Sequence, residues 1–187
     1  MMEYLTSFGF VKTQLQQQFG FQAALMQPLS RGTVTLSETD PTQVIINPNY
    51  LDEPEDKRKL IETFRLARRL ANAPALDSWR CFSISPPPWL GSPLKPDCSE
   101  KERELDTQRI TSHISRFGSG YWHPCGTCKM GSVVDTELNV IGTVGLRVAD
   151  ASVIPHIPRV PIAATVMMIG ARCAYLIASS QHPTSKL

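Results

Sequence analysis

The chain has 187 residues, 42% of them apolar, which suffices for a real core and excludes a disordered chain. Nineteen basic and 17 acidic side chains leave a net charge of +2, so there is no electrostatic case for nucleic acid. No run approaches about 20 uninterrupted apolar residues, and the start, Met1–Tyr4, is not basic, so neither a membrane span nor a signal peptide is expected.

In chain order, the first twenty residues show no clear period, with Leu15, Phe19 and Phe21 among glutamines. Two strands with a turn between them are predicted at Gly32–Leu36 and Val44–Ile46, because β-branched residues flank Glu38-Thr39-Asp40-Pro41. Asn47–Leu51 is read as extended, since Pro48 disfavours the α region for its predecessor. The spacing of Leu60, Phe64, Ala67 and Ala71 predicts a helix over Asp52–Ala73, with Asp52 as cap and Pro54 in the first turn. Arg65, Arg68 and Arg69 are assigned to its solvated side.

The triple proline at 86–88 excludes regular structure from Trp79–Pro96, a segment read as the rim of a substrate cavity. A second helix begins at Ser99, where Glu102 completes a capping box, and runs to Phe117 with Ile110 and Ile114 on its apolar face. Leu146–Ala149 reads as a short buried strand. Ala163–Ala178 is a helix apolar nearly all round, so it is expected to be buried against other structure.

The most informative stretch is Tyr121-Trp122-His123-Pro124-Cys125-Gly126-Thr127-Cys128. Histidine is the side chain best suited to move a proton near neutral pH, and a stiff, glycine-interrupted loop would hold His123 in one orientation. On chemistry alone an ordinary buried histidine, hydrogen-bonded to backbone, is the favoured reading over catalysis. Cys125 and Cys128 form a CxxC, but Lys129-Met130-Gly131 leads into another turn rather than the helix of a redox unit. Neither Cys98 nor His113 completes a zinc pattern with them. No metal site is expected, and most of the five cysteines are read as free thiols.

The words YWHPCGTCKMGSVVDTELNVIGTVGLRVADASVIPHIP at 121–158 closely resemble the C-terminal signature of the glucose–methanol–choline (GMC) oxidoreductases. The stretch LMQPLSRGTVTLSETDPTQVIINPNYLDEPEDKRKLIETFRLARRL at 25–70 is similar to the same region. This resemblance implies an α+β fold: a substrate-binding portion of antiparallel or mixed sheet with helices over 20–145, then a returning strand and C-terminal helix of an FAD-binding domain over 146–180. It implies FAD as cofactor, a small-molecule alcohol as substrate, and hydride transfer from a CH–OH group to the flavin. By the same resemblance His123 is the catalytic base or orients the substrate hydroxyl, and Asp150, Ala151, Pro161, Ile162 and Ala163 lie against the cofactor.

Two departures stand out. Relatives carry a second catalytic His or Asn at the position that falls here on Pro161, which has neither a side-chain donor nor a backbone N–H; His156 or Arg159 is a possible substitute. No G-x-G-x-x-G occurs in the 187 residues, so most adenosine and pyrophosphate contacts are expected from an N-terminal FAD-binding domain outside this sequence. A fragment inactive alone is therefore expected, with a non-catalytic interaction module of GMC descent as the alternative. The proline- and tryptophan-bearing rim points to a bulky hydrophobic alcohol such as a steroid. The sequence names no cellular compartment.

Overall fold

The computed structural model describes residues 5–13, 16–79 and 92–181. It is a mixed arrangement of α and β elements: strands β1 (Leu5–Thr13), β2 (Gln16–Ala24), β3 (Thr33–Leu36) and β4 (Val44–Asn47), and helices α1 (Pro54–Ala71), α2 (Glu100–Phe117) and α3 (Ala163–Gln181). Short 3-10 turns lie at Pro74–Trp79 and Ala151–Val153. The sheets among the described residues are two separate antiparallel pairs, β1 with β2 and β3 with β4. Packing divides the chain into two units, residues 1–31 with 49–121 and residues 32–48 with 122–187.

In the first unit, the stretch read as aperiodic forms the β1–β2 hairpin, with Phe8 opposite Phe21 and Phe10 opposite Phe19. The overlooked signal is the two-residue spacing of these phenylalanines around Gly9 and Gly20. Helix α1 starts later than predicted: its N-cap is Glu53, whose side chain makes no capping bond, and Pro54 opens the first turn. Asn49 and Leu51 adopt φ of 53° and 60°, so the segment before α1 is a turn rather than extended backbone. The side chain of Ser30, from an earlier loop, accepts the Glu53 N–H at 3.1 Å. Asp56, fully buried, takes the N–H groups of Leu29 (2.8 Å) and Ser30 (2.7 Å) and the Ser30 hydroxyl (2.6 Å).

Of the three arginines of α1 assigned to its solvated side, Arg69 is exposed and the other two differ from expectation. Arg68 is buried and Arg65 half-buried, because both reach Asp106 on α2. Helix α2 has its predicted capping box: the Ser99 hydroxyl accepts the Glu102 N–H, and the Glu102 carboxylate accepts the Ser99 N–H at 2.8 Å. Ile61, on α1, and Ile110, on α2, form the small core of this unit, with Phe64 and Ile114 beside them.

In the second unit, β3 and β4 form at the predicted residues, with Val34 opposite Ile46 and Leu36 opposite Val44. The core here gathers Val134, Leu138, Val153, Ile154, Ile162, Ile169 and Cys173. Leu146–Ala149 is not the expected buried strand. Arg147 makes an isolated bridge to Asn139, and Leu146 is 53% exposed. Among the described residues the segment finds as ladder partner only the turn at 138–140, and no sheet extends from it there.

Helix α3 spans the predicted residues, but only one face is buried, through Ile169 and Cys173; Met167, Met168 and Tyr175 are exposed. Among the described residues the unit offers packing to a single side, so the rest of this apolar helix has no covering structure here. By length and composition α3 is apolar enough to cross a membrane, at mean hydropathy 1.3 over Ala163–Ser180. Arg172 sits within that window and the buried face belongs to the unit core, so it is no clear transmembrane span.

Candidate active site

Every residue singled out for chemistry falls in the second unit, and main-chain bonds bring the two blocks that carry them together. The N–H of Gly126 donates to the Ala151 carbonyl (3.3 Å), that of Cys128 to Ser152 (2.9 Å) and that of Met130 to Val153 (3.0 Å). The loop after His123 therefore runs alongside the Asp150–Val153 turn, fastened by groups that do not depend on side-chain identity. Gly126 makes this possible at φ +91°, where a Cβ would stand 3.4 Å from the Ile154 carbonyl oxygen.

His123 is half-buried in this loop, preceded by Trp122 and followed by exposed Pro124. Trp122 is 91% exposed and holds φ +62°, a left-handed conformation uncommon for a bulky residue. Cys125 and Cys128 are half-buried against the unit core. Among the described residues Cys98, Cys125, Cys128 and Cys173 form no disulfide; Cys81 lies outside them.

Asp150 caps the short turn at Ala151–Val153. Its carboxylate accepts the Ser152 hydroxyl and the Ser152 N–H, and these bonds hold it below the usual carboxylate range. Ala151 is half-buried and its carbonyl is taken by Gly126. Pro161 and Ala163 are exposed at the start of α3, whereas the Ile162 side chain is buried in the core and its carbonyl accepts the Val166 N–H. His156, on the connecting segment, is exposed. Most of the rim proposed from the proline-rich segment, residues 80–91, lies outside the described residues.

The signal that sequence reasoning passed over is the fixed turn at Asp135–Asn139. Asp135 accepts the N–H groups of Glu137 (2.8 Å) and Asn139 (2.9 Å), letting Leu138 enter the core at φ +66°. The D-x-x-x-N spacing is its only trace in the sequence, and it braces the loop that pairs with Leu146–Val148.

This arrangement is that of a known family. The model of the GMC oxidoreductase C-terminal domain matches residues 28–170, and the chain belongs to that family. It is 36% identical over 171 residues to an oxygen-dependent choline dehydrogenase of Sinorhizobium fredii (strain NBRC 101917 / NGR234), covering 87% of this chain and 29% of that protein. A solved fungal aryl-alcohol oxidase superposes with a TM-score of 0.68 at 28% identity, over 86% of this chain and 25% of its own. An FAD-dependent oxidoreductase from Chaetomium thermophilum gives 0.67 at 26%, over 86% and 26%. The chain thus spans between a quarter and a third of the length of these relatives.

Proposed function

We propose that this chain supplies the substrate-facing, proton-handling part of an FAD-dependent alcohol oxidoreductase acting on CH–OH groups, with His123 as the base. The observation that carries the reading is the set of three main-chain bonds from Gly126, Cys128 and Met130 to Ala151–Val153. They put the histidine loop beside the turn that, by family resemblance, approaches the cofactor.

Oxidation of an alcohol needs a proton acceptor at hydrogen-bond reach of the hydroxyl, with the carbinol carbon held in place. A half-buried imidazole on a loop fastened by its main chain meets the first need without an ordering cost at the moment of reaction. When bound, the flavin supplies the hydride acceptor.

The residues present fit the flavin end of such a cofactor and not its nucleotide end. At the start of α3 the N–H groups of Ala163, Ala164 and Thr165 precede the first intrahelical donor, Val166, and Ala163 and Ala164 are exposed. Such N–H groups favour negative charge. Asp150, Ala151 and Pro161 would line the same edge. Ile162 would contribute main chain only, its side chain being committed to the core. The sequence carries no G-x-G-x-x-G to cradle a pyrophosphate, so the nucleotide end calls for an FAD-binding domain. On this reading residues 146–180 belong with that domain and 20–145 with the substrate portion.

The test is single-turnover flavin reduction under anaerobic conditions in a form bearing an FAD-binding segment. His123→Ala should slow reduction by about 10²–10⁴-fold with FAD still bound. An unchanged rate sinks the assignment. Pro161→Asn in the same form should raise the rate; no gain means that His156 or Arg159 already fills the second role.

A second reading draws on the exposed Met167, Met168 and Tyr175 of α3: a non-catalytic module of GMC descent that binds through this face. Binding of a partner by the 187-residue chain, abolished by Met167→Glu, would favour it.

A further inference from the structure

Both glycines of Gly118-Ser119-Gly120, where the chain leaves α2, sit at close approaches. The Gly118 N–H donates to the Ile114 carbonyl at 2.7 Å and ends the helix, and a Cβ on Gly118 would crowd that same oxygen. A Cβ on Gly120 would instead collide with the Tyr50 hydroxyl and stand 3.1 Å from the ring carbon that bears it. The tip of the phenol therefore occupies the place where any other residue at 120 would put its side chain. Tyr50 is presented there by costly backbone. Its neighbours Asn49 and Leu51 hold φ of 53° and 60°, left-handed for residues that carry a Cβ. Asn49 braces this turn, its carbonyl accepting the Asp52 N–H at 3.4 Å and its side-chain amide donating to the Asp52 carboxylate at 3.2 Å.

Gly120 precedes His123 by three residues, a span that reaches at most about 10 Å, so little slack separates the two. Beyond the histidine the loop is fastened by the Gly126 N–H on the Ala151 carbonyl. Resting on the reading of His123 given above, we infer that Tyr50 is a positioning residue: its phenol, seated on Gly120, fixes the point from which the chain enters the histidine loop. The imidazole is then constrained through the chain on both sides, by a side chain before it and by main chain after it. Such constraint matters because a base acts only within hydrogen-bond reach of the hydroxyl, and a misplacement of about 1 Å can cost about 10²-fold in rate.

The experiment compares the wild type with Gly120→Ala, Tyr50→Ala and the double change Gly120→Ala with Tyr50→Phe. In the 187-residue chain, histidine ring signals are followed by NMR, His123 being assigned from its absence in His123→Ala. In the FAD-bearing form, anaerobic flavin reduction is followed with choline and with benzyl alcohol as probes. Gly120→Ala should move the His123 signal and leave that of His156 in place. It should lower the limiting reduction rate by about 10–100-fold, with the half-saturating alcohol concentration kept within about 2-fold. Tyr50→Phe in the same chain removes the atom that the new Cβ strikes and should restore both the signal and most of the rate. Tyr50→Ala empties the seat without a clash, so it carries the test if Gly120→Ala does not fold, and it should slow reduction in the same sense. An unmoved His123 signal, or an undiminished limiting rate, in a folded variant would overturn the inference; His123→Ala, slow in the same assay, would then leave the base reading intact. Should the wild type reduce no flavin, the base reading fails and the imidazole signal alone decides whether Tyr50 positions the ring.

Discussion

Arg68 and Asp106 meet at 2.7 Å between α1 and α2 with side chains only 4% and 6% exposed, and Arg65 closes on the other Asp106 oxygen at 2.9 Å. Removing one member of a buried pair strands its partner's charge, which typically costs about 3–5 kcal/mol. Asp106→Ala should therefore lower the urea midpoint by about as much as truncating the fully buried Ile110 to Ala, which typically costs about 2–5 kcal/mol. The double change Arg68→Met with Asp106→Leu should recover most of the loss, because no unpaired buried charge then remains at that pair.

Asp56 makes stability depend on acid. Burial works against its charge, but the bonds from Leu29 and Ser30 outweigh that and hold it below its ordinary value of 3.8. The folded state thus keeps the carboxylate to lower pH than the unfolded chain does. The stability it confers is fully present above about pH 4 and drains away as pH falls through the folded value. Melting curves between pH 5 and pH 2 should show a steeper decline for the wild type than for Asp56→Asn, which should also be less stable at neutral pH.

His113 has the opposite sense. Its ring lies 5.3 Å from Phe64 and 4.9 Å from Phe117, with a buried Nδ1 lacking a hydrogen-bond partner, and burial depresses its pKa below 6.5. The unfolded chain takes the proton first, so stability is full above about pH 6.5 and falls as pH drops through the folded value. His113→Phe should flatten the melting temperature between pH 8 and pH 5 relative to wild type. An unchanged slope would show that the imidazole is not excluded from water.

Gly126 is the backbone hinge-pin of the histidine loop. At φ +91° a side chain is strained whatever the space, and its Cβ would approach the Ile154 carbonyl. Gly126→Ala should cost about 1–2 kcal/mol. In an FAD-bearing form it should also slow flavin reduction, since the loop carrying His123 would shift. Gly142→Ala, also at positive φ but with open space around it, is the control: similar strain with no effect on reduction.

Local signals carried the elements they belonged to. The Ser99 and Glu102 box, the β3–β4 turn and the extent of α3 were all readable, because each is decided within a few residues. What escaped notice depended on distant partners. Arg68 reads as solvated until Asp106, 38 positions on, is brought to it, and the start of α1 shifts because Ser30 and Asp56 settle it between them. Leu146–Val148 has the composition of a buried strand but finds only a turn to pair with. For the candidate site, the motif words located His123 and Asp150–Ser152. That the loop after His123 runs alongside the Asp150–Ser152 turn, fastened through main chain, is legible only once the chain is folded.

The interleaving of the two units bears on how such a chain can be cut. Residues 32–48 belong to the second unit yet are enclosed by the first, so the polypeptide passes between them three times. No single scissile point separates one unit from the other, and a ribosome that has just added residue 121 has delivered the β3–β4 hairpin before the rest of its unit. A shortened clone ending there would strand β3 and β4. A rearranged gene that joins residue 31 to 49 and moves 32–48 to precede 122 would instead let each unit be made as a continuous piece.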